Sequence, residues 1–115
     1  MICEGQIILF RFPQTDMLRG KLRPALIVRE LPGPYNDWLI CMISSQLTKY
    51  IPKLDEVIKP DDPDFNNSGL KEPSLFRVSR LAVVDKSILL GTIGKISTER
   101  LSRIKTSICD WIKST

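Results

Sequence analysis

The apolar residues of this chain come in short runs, and turn-forming residues separate them. Runs of this length are too short for packed helices, so the punctuation restricts most of the chain to strands joined by turns. Residues 5–12, GQIILFRF, read as a first strand ended by Pro13. A polar loop follows, and residues 23–30, RPALIVRE, read as the second. The stretch LPGPYND must turn, because Pro32, Gly33 and Pro34 cannot continue a ladder. Residues 38–45, WLICMISS, read as the third strand and residues 55–59, DEVIK, as a brief fourth. The loop PDDPDFNNSG leads to two more strands, 73–79 and 81–84, with a bend between them.

The spacing changes only at the end. Leu101, Ile104, Ile108, Trp111 and Ile112 fall on one stripe of a helix. Ser97 suits its N-cap, and Glu99 in the first turn suits the positive helix end. The stripe predicts a helix that packs on the core, with Trp111 inside it. With 115 residues, 43% of them hydrophobic, the chain can bury a core as one domain spanning 1–115. The expected fold is mainly β: a small barrel closed by a C-terminal helix.

Composition removes several chemistries. There is no histidine, so the commonest general base near neutral pH is missing and no triad can be assembled in the ordinary way. No glycine-rich phosphate loop occurs. The three cysteines, Cys3, Cys41 and Cys109, are widely spaced, and no metal site is expected from them. Cys41 and Cys109 lie in apolar patterns and read as buried thiols, which fits a reduced, cytoplasmic setting. The first apolar run has no basic leader, is broken by Arg11 and is too short to span a bilayer, so neither a signal peptide nor a membrane segment is expected. No cofactor is expected either.

Charge is unevenly placed. The chain carries a net +4. Residues 11–29 hold Arg11, Arg19, Lys21, Arg23 and Arg29 against the single acid Asp16. Residues 55–64 hold five acids against Lys59, and the DDPD within them reads as a solvated loop. Solvated loops account for both segments as readily as a binding surface does. Arg23 precedes Pro24, which pushes it towards extended geometry at the mouth of the second strand. The third strand ends in Ser44, Ser45 and Gln46. If the two strands are antiparallel neighbours, Arg23 faces Ser44 and Gln46 at one rim. A guanidinium beside hydroxyl and amide groups would suit a phosphodiester.

At these residues the chain resembles the MazF/PemK family of toxins from bacterial type II toxin–antitoxin systems. The resemblance is carried by Gly5-Gln6-Ile7-Ile8, Thr15-Asp16, Lys21-Leu22-Arg23-Pro24-Ala25-Leu26-Ile27-Val28, Cys41-Met42-Ile43-Ser44-Ser45-Gln46, Gly69-Leu70-Lys71-Glu72-Pro73-Ser74 and Ile93-Gly94-Lys95-Ile96-Ser97, in that order. It implies an SH3-like barrel of the CcdB/PemK type, a homodimer, and a metal-independent endoribonuclease. The enzyme would cut single-stranded RNA, typically mRNA, at short sequences, leaving a 2′,3′-cyclic phosphate and a 5′-hydroxyl, and a cognate antitoxin would neutralise it. By position the resemblance makes Arg23 and Ser44 catalytic and Arg11, Arg19, Lys21, Ser45 and Gln46 RNA contacts. Ser44 stands where threonine is more frequent, and Phe12-Pro13-Gln14 depart from the pattern of the first loop. Met42, Trp38 and the C-terminal helix face are the sequence's hint of a contact between two copies. Two rivals share the fold: a toxin that poisons DNA gyrase by contact, in which Asp110-Trp111-Ile112 would matter, and an SH3-like module that binds protein only.

Overall fold

Six antiparallel strands form one sheet in the order β4-β5-β3-β2-β1-β6. They are β1 (Gln6–Arg11), β2 (Leu22–Glu30), β3 (Asp37–Ser44), β4 (Glu56–Ile58), β5 (Ser74–Asp85) and β6 (Leu89–Lys95). A single helical turn, α1 (Phe65–Ser68), precedes β5, and the helix α2 (Thr98–Lys113) ends the chain. The computed structural model describes residues 2–11 and 22–114. The expected Arg19, Lys21 and the loop around Thr15-Asp16 lie outside the described residues.

Both faces of the central strands are buried, which explains why Ala25–Val28 run on as apolar residues instead of alternating with polar ones. Side chains alternate across the sheet with period two. Ile7, Leu26, Val28, Cys41, Ile43, Phe76 and Val78 fill one core with Ile58, Phe65, Ile104 and Ile108. Ile8, Phe10, Ala25, Ile27, Trp38 and Ile40 fill a second, against Ile88 and Leu89. Trp38 is therefore taken up inside the chain, and Met42 packs on the second core. Trp38 is thus not a surface residue of the single chain, whereas Met42 stays partly exposed.

Strand pairing does not close the sheet. β4 and β6 are its edges, and α1 sits beside β6 in the gap. Two glycines allow this seat. Gly69 has φ of 77°, and a Cβ there would lie 2.1 Å from the Ile93 carbonyl oxygen; a Cβ on Gly94 would lie 2.2 Å from the Asn67 carbonyl oxygen. The two strands expected at 73–79 and 81–84 are one long strand, β5, with a bulge. Met42 pairs with Arg77 but Cys41 with Leu81, so residues 78–80 are extra on the β5 side.

The acidic segment is a structural partner of α2 and not a solvated loop. Arg100 is 4% exposed, and its guanidinium donates five hydrogen bonds among the described residues. Its Nε and Nη2 reach Asp64 at 2.8 and 3.1 Å, Nη2 reaches Asp62 at 3.1 Å, and Nη1 reaches Glu56 at 2.9 Å and the Val57 carbonyl at 3.0 Å. Ser97 caps α2 by accepting from the Arg100 N–H, as its position suggested. Burial pushes the Asp64 carboxyl up, but the hydrogen bond from Arg100 and the Ser97 N–H outweigh it and hold Asp64 at about 2. The buried stripe of α2 stops at Ile108: Cys109, Trp111 and Ile112 are exposed, against the expectation that Cys109 and Trp111 were core.

Candidate functional site

An open groove of about 660 Å³ runs across the rim where β2 begins and β3 ends. Arg23, Ser44, Ser45 and Gln46 line it, together with Lys49 after β3, Lys71 and Glu72 before β5, and Arg77 and Arg80 on β5. The registers explain the gathering. β2 and β3 pair through Ala25 and Met42, and continuing that ladder by two residues sets Arg23 beside Ser44. On the far side of β3, Met42 pairs with Arg77. The guanidinium-bearing positions 23 and 77 thus flank β3, with Ser44 at its end.

Ser44 Oγ accepts the backbone N–H of Gln46 at 3.0 Å. That local bond fixes the hydroxyl and leaves its hydrogen available, because among the described residues it donates to nothing. Arg23 is exposed and forms no ion pair among the described residues. Arg77 Nε is buried and finds no hydrogen-bond partner among the described residues. An unpaired buried donor is costly, and such groups call for an explanation. Among the described residues, five cations line the groove against one carboxylate, Glu72. Beneath it, burial and the Asp55 charge push the Cys41 thiol far up, against a smaller opposing effect of Arg77. Cys41 therefore stays protonated and is no nucleophile.

Of the residues singled out from sequence, Arg23, Ser44, Ser45 and Gln46 come together in the groove. Arg11 ends β1, opposite Leu22, and is exposed without lining the groove. Lys49, Lys71, Arg77 and Arg80 were missed. The signal available for the last two was a pair of arginines three apart, FRVSR, at the bend in β5. A smaller cavity of about 290 Å³, lined by Glu4, Asp64, Lys95 and Ser97 among others, is the weaker candidate, since Asp64 and Ser97 are engaged in holding α2.

A sequence profile described as PemK-like, MazF-like toxin of type II toxin-antitoxin system matches residues 4–112. The chain belongs to this toxin family. Solved structures agree on the fold. A Mycobacterium tuberculosis toxin, MazF-mt6, superposes with a TM-score of 0.69 at 14% identity, covering 96% of this chain and 98% of that one. An endoribonuclease in complex with its cognate antitoxin, from a mycobacterial species, gives 0.66 at 12% identity, over 100% of this chain and 98% of that one. An endoribonuclease from a mycobacterial species gives 0.63 at 14%, over 96% and 90%. No curated protein sequence matches the chain. The groove is thus the rim of a PemK/MazF-type fold. Within the described residues of this family member, no helix is long and apolar enough to cross a membrane.

Proposed function

We propose that this toxin is an endoribonuclease that cuts single-stranded RNA in the groove between β2, β3 and β5, acting in the cytoplasm. The observation that carries the reading is the placing of Arg23 and Ser44 at adjoining positions on neighbouring strands of a cationic groove. The family supports it, as do two structural neighbours that are themselves endoribonucleases.

RNA brings its own nucleophile. The ribose 2′-oxygen attacks phosphorus and the bond to the 5′-oxygen breaks, giving a 2′,3′-cyclic phosphate and a 5′-hydroxyl. The 2′-hydroxyl proton passes to solvent, and the departing 5′-oxygen takes one from it. The protein's part is to align the two oxygens and to stabilise charge on the phosphoryl oxygens. Arg23 supplies that charge, and its guanidinium stays protonated throughout. Ser44 donates its free hydrogen to a phosphoryl oxygen. Arg77 adds positive charge on the β5 side of the groove, and Ser45 and Gln46 hold the flanking nucleotides. Arg11, exposed beyond the groove, and Arg19 and Lys21, outside the described residues, are further candidate RNA contacts. No step calls on a metal ion, so EDTA leaves the rate unchanged.

The test is cleavage of single-stranded RNA by purified protein. A preset donor of this kind is worth about 10²–10³ in rate, so Arg23→Ala should lose activity on that scale. Cleavage that survives Arg23→Ala unaltered overturns the reading. As partners, the toxin pairs with a second copy of itself and with an antitoxin; the latter is supported by the neighbour solved with its cognate antitoxin.

One observation favours a second reading. Trp111 and Ile112 are 60% and 64% exposed at the end of α2, where a toxin acting by contact on DNA gyrase would present residues. Inhibition of gyrase supercoiling that Trp111→Ala abolishes, with no RNA cut by either protein, would establish it in place of the first.

A further inference from the structure

The loop before β5 places one carboxylate, the only one among the described lining residues, in a groove whose other charged lining is cationic. Glu72 is exposed, lines the groove with Lys49, Lys71 and Arg80, and forms no ion pair among the described residues. Its backbone is held at both ends. Pro73 restricts it to extended geometry. The buried Ser74 donates its hydroxyl to the Glu72 carbonyl at 2.9 Å, and Gly69, three residues earlier, is packed against the Ile93 backbone.

A carboxylate on this held backbone repels phosphate, so its use lies with another part of the substrate. Ser44 pairs with Leu75, and Glu72 stands three residues before Leu75, at most roughly 10 Å along the chain. Because a carboxylate repels the phosphate that Arg23 and Ser44 would hold, a neighbouring base in the same groove is the part of the substrate left for it. Single-stranded RNA is read on the Watson–Crick edges of unstacked bases. An ionised carboxylate only accepts hydrogen bonds. Guanine offers two adjacent donors there, N1–H and an N2 hydrogen, which two carboxylate oxygens can take together. Adenine and cytosine each set one amino group beside an acceptor, and uracil sets one N–H between two carbonyls, so each meets the carboxylate with a repulsive contact as well.

We propose that Glu72 is a specificity residue that selects guanine beside the cleaved phosphate. The inference rests on the RNA-cleaving reading. Its test uses the full chain, Glu72→Gln and Glu72→Ala in two measurements. One is sequencing of RNA fragment ends. The other is binding of uncleavable 2′-deoxy oligonucleotides that carry guanine, or inosine in its place, at the enriched position or, if no cutting occurs, at each position in turn. Inosine lacks only the N2 amino group. The unaltered protein is expected to enrich guanine at one fixed position near the cut and to bind the inosine oligonucleotide about tenfold more weakly. Glu72→Ala should abolish both preferences. Glu72→Gln, with one donor and one acceptor, should move the preference from guanine towards adenine and cytosine. Unchanged base frequencies in Glu72→Ala overturn the proposal, as does a uniform fall in cutting at all sites with the guanine-to-inosine ratio intact. Should the unaltered protein cut no RNA, the nuclease reading fails on that arm alone; equal binding of the guanine and inosine oligonucleotides overturns the role of Glu72 whether or not cutting occurs.

Discussion

Ser44 and Arg77 each carry a hydrogen-bond donor that the described protein leaves unused. In Ser44 the oxygen is committed to the Gln46 N–H and the hydrogen is not, so the side chain is oriented for an outside acceptor. Ser44→Thr keeps both features and should hold cleavage within a few-fold, whereas Ser44→Ala should lower it by roughly 10²-fold. Single-turnover rates on one RNA substrate decide this. Arg77 makes a sharper case. If its buried Nε were structural, Arg77→Met would destabilise the protein. Because the donor is unpaired, an apolar replacement of similar shape should leave the denaturant midpoint unchanged or raised, while RNA binding weakens about tenfold. A fall in midpoint with binding intact would make Arg77 a structural residue. The sequence exposed Arg23 and Ser44 through a proline and a strand end. It hid Arg77, whose meaning depends on Met42, thirty-five residues earlier, lying opposite it.

α2 is held to the sheet mainly through one guanidinium and a short apolar stripe. Removing one partner of a buried ion pair leaves its charges uncompensated and costs about 3–5 kcal/mol. Arg100→Ala should therefore destabilise by that order, read as a shift in urea midpoint at constant slope. The same network sets an acid limit. Asp64 is held near 2, below the ordinary carboxylate range, so it favours the folded state fully above about pH 4 and loses that effect as pH falls through 2. Unfolding free energy should drop across that window, and Asp64→Asn should flatten the drop while lowering stability at pH 7. The seat of α1 on β6 has a different weak point. In Gly94→Ala the new methyl would meet backbone atoms at 2.2 to 2.5 Å, which cannot rotate away, so a loss of roughly 3 kcal/mol is expected in the same urea experiment. The helix itself was legible from its stripe and cap. Its anchor was not, because a run of acids reads alike whether it faces water or an arginine some forty residues on.

Across the whole molecule the groove concentrates positive charge that the chain distributes over four separate segments. Single-stranded nucleic acid binding should therefore weaken with salt at a logarithmic slope of about −0.7 per phosphate neutralised. Four to five contacts give a slope near −3, measured with uncleavable RNA between about 50 and 200 mM salt; a slope near zero would remove the groove from RNA binding. Val83, Leu90, Trp111 and Ile112 leave apolar surface in water on the single chain. Pairing of two copies should appear as a dimer in concentration-dependent sedimentation, and a persistent monomer would refute it.

By itself the sequence determined the kind of elements and their order: short apolar runs between turn residues make strands, prolines and glycines end them, and one stripe of period 3.6 makes α2. These are local consequences of which residues must leave water, and so is the extended start of β2 at Arg23-Pro24. Only the tertiary structure decided that the sheet stays unclosed with α1 in its gap, that the acidic segment turns inward to Arg100, that Trp111 lies outside, and that Arg77, Arg80, Lys49 and Lys71 converge on Arg23. Burial is written along a strand in its own residues. The pairing of charges depends on which distant segments meet, and register between strands far apart in the chain fixes that.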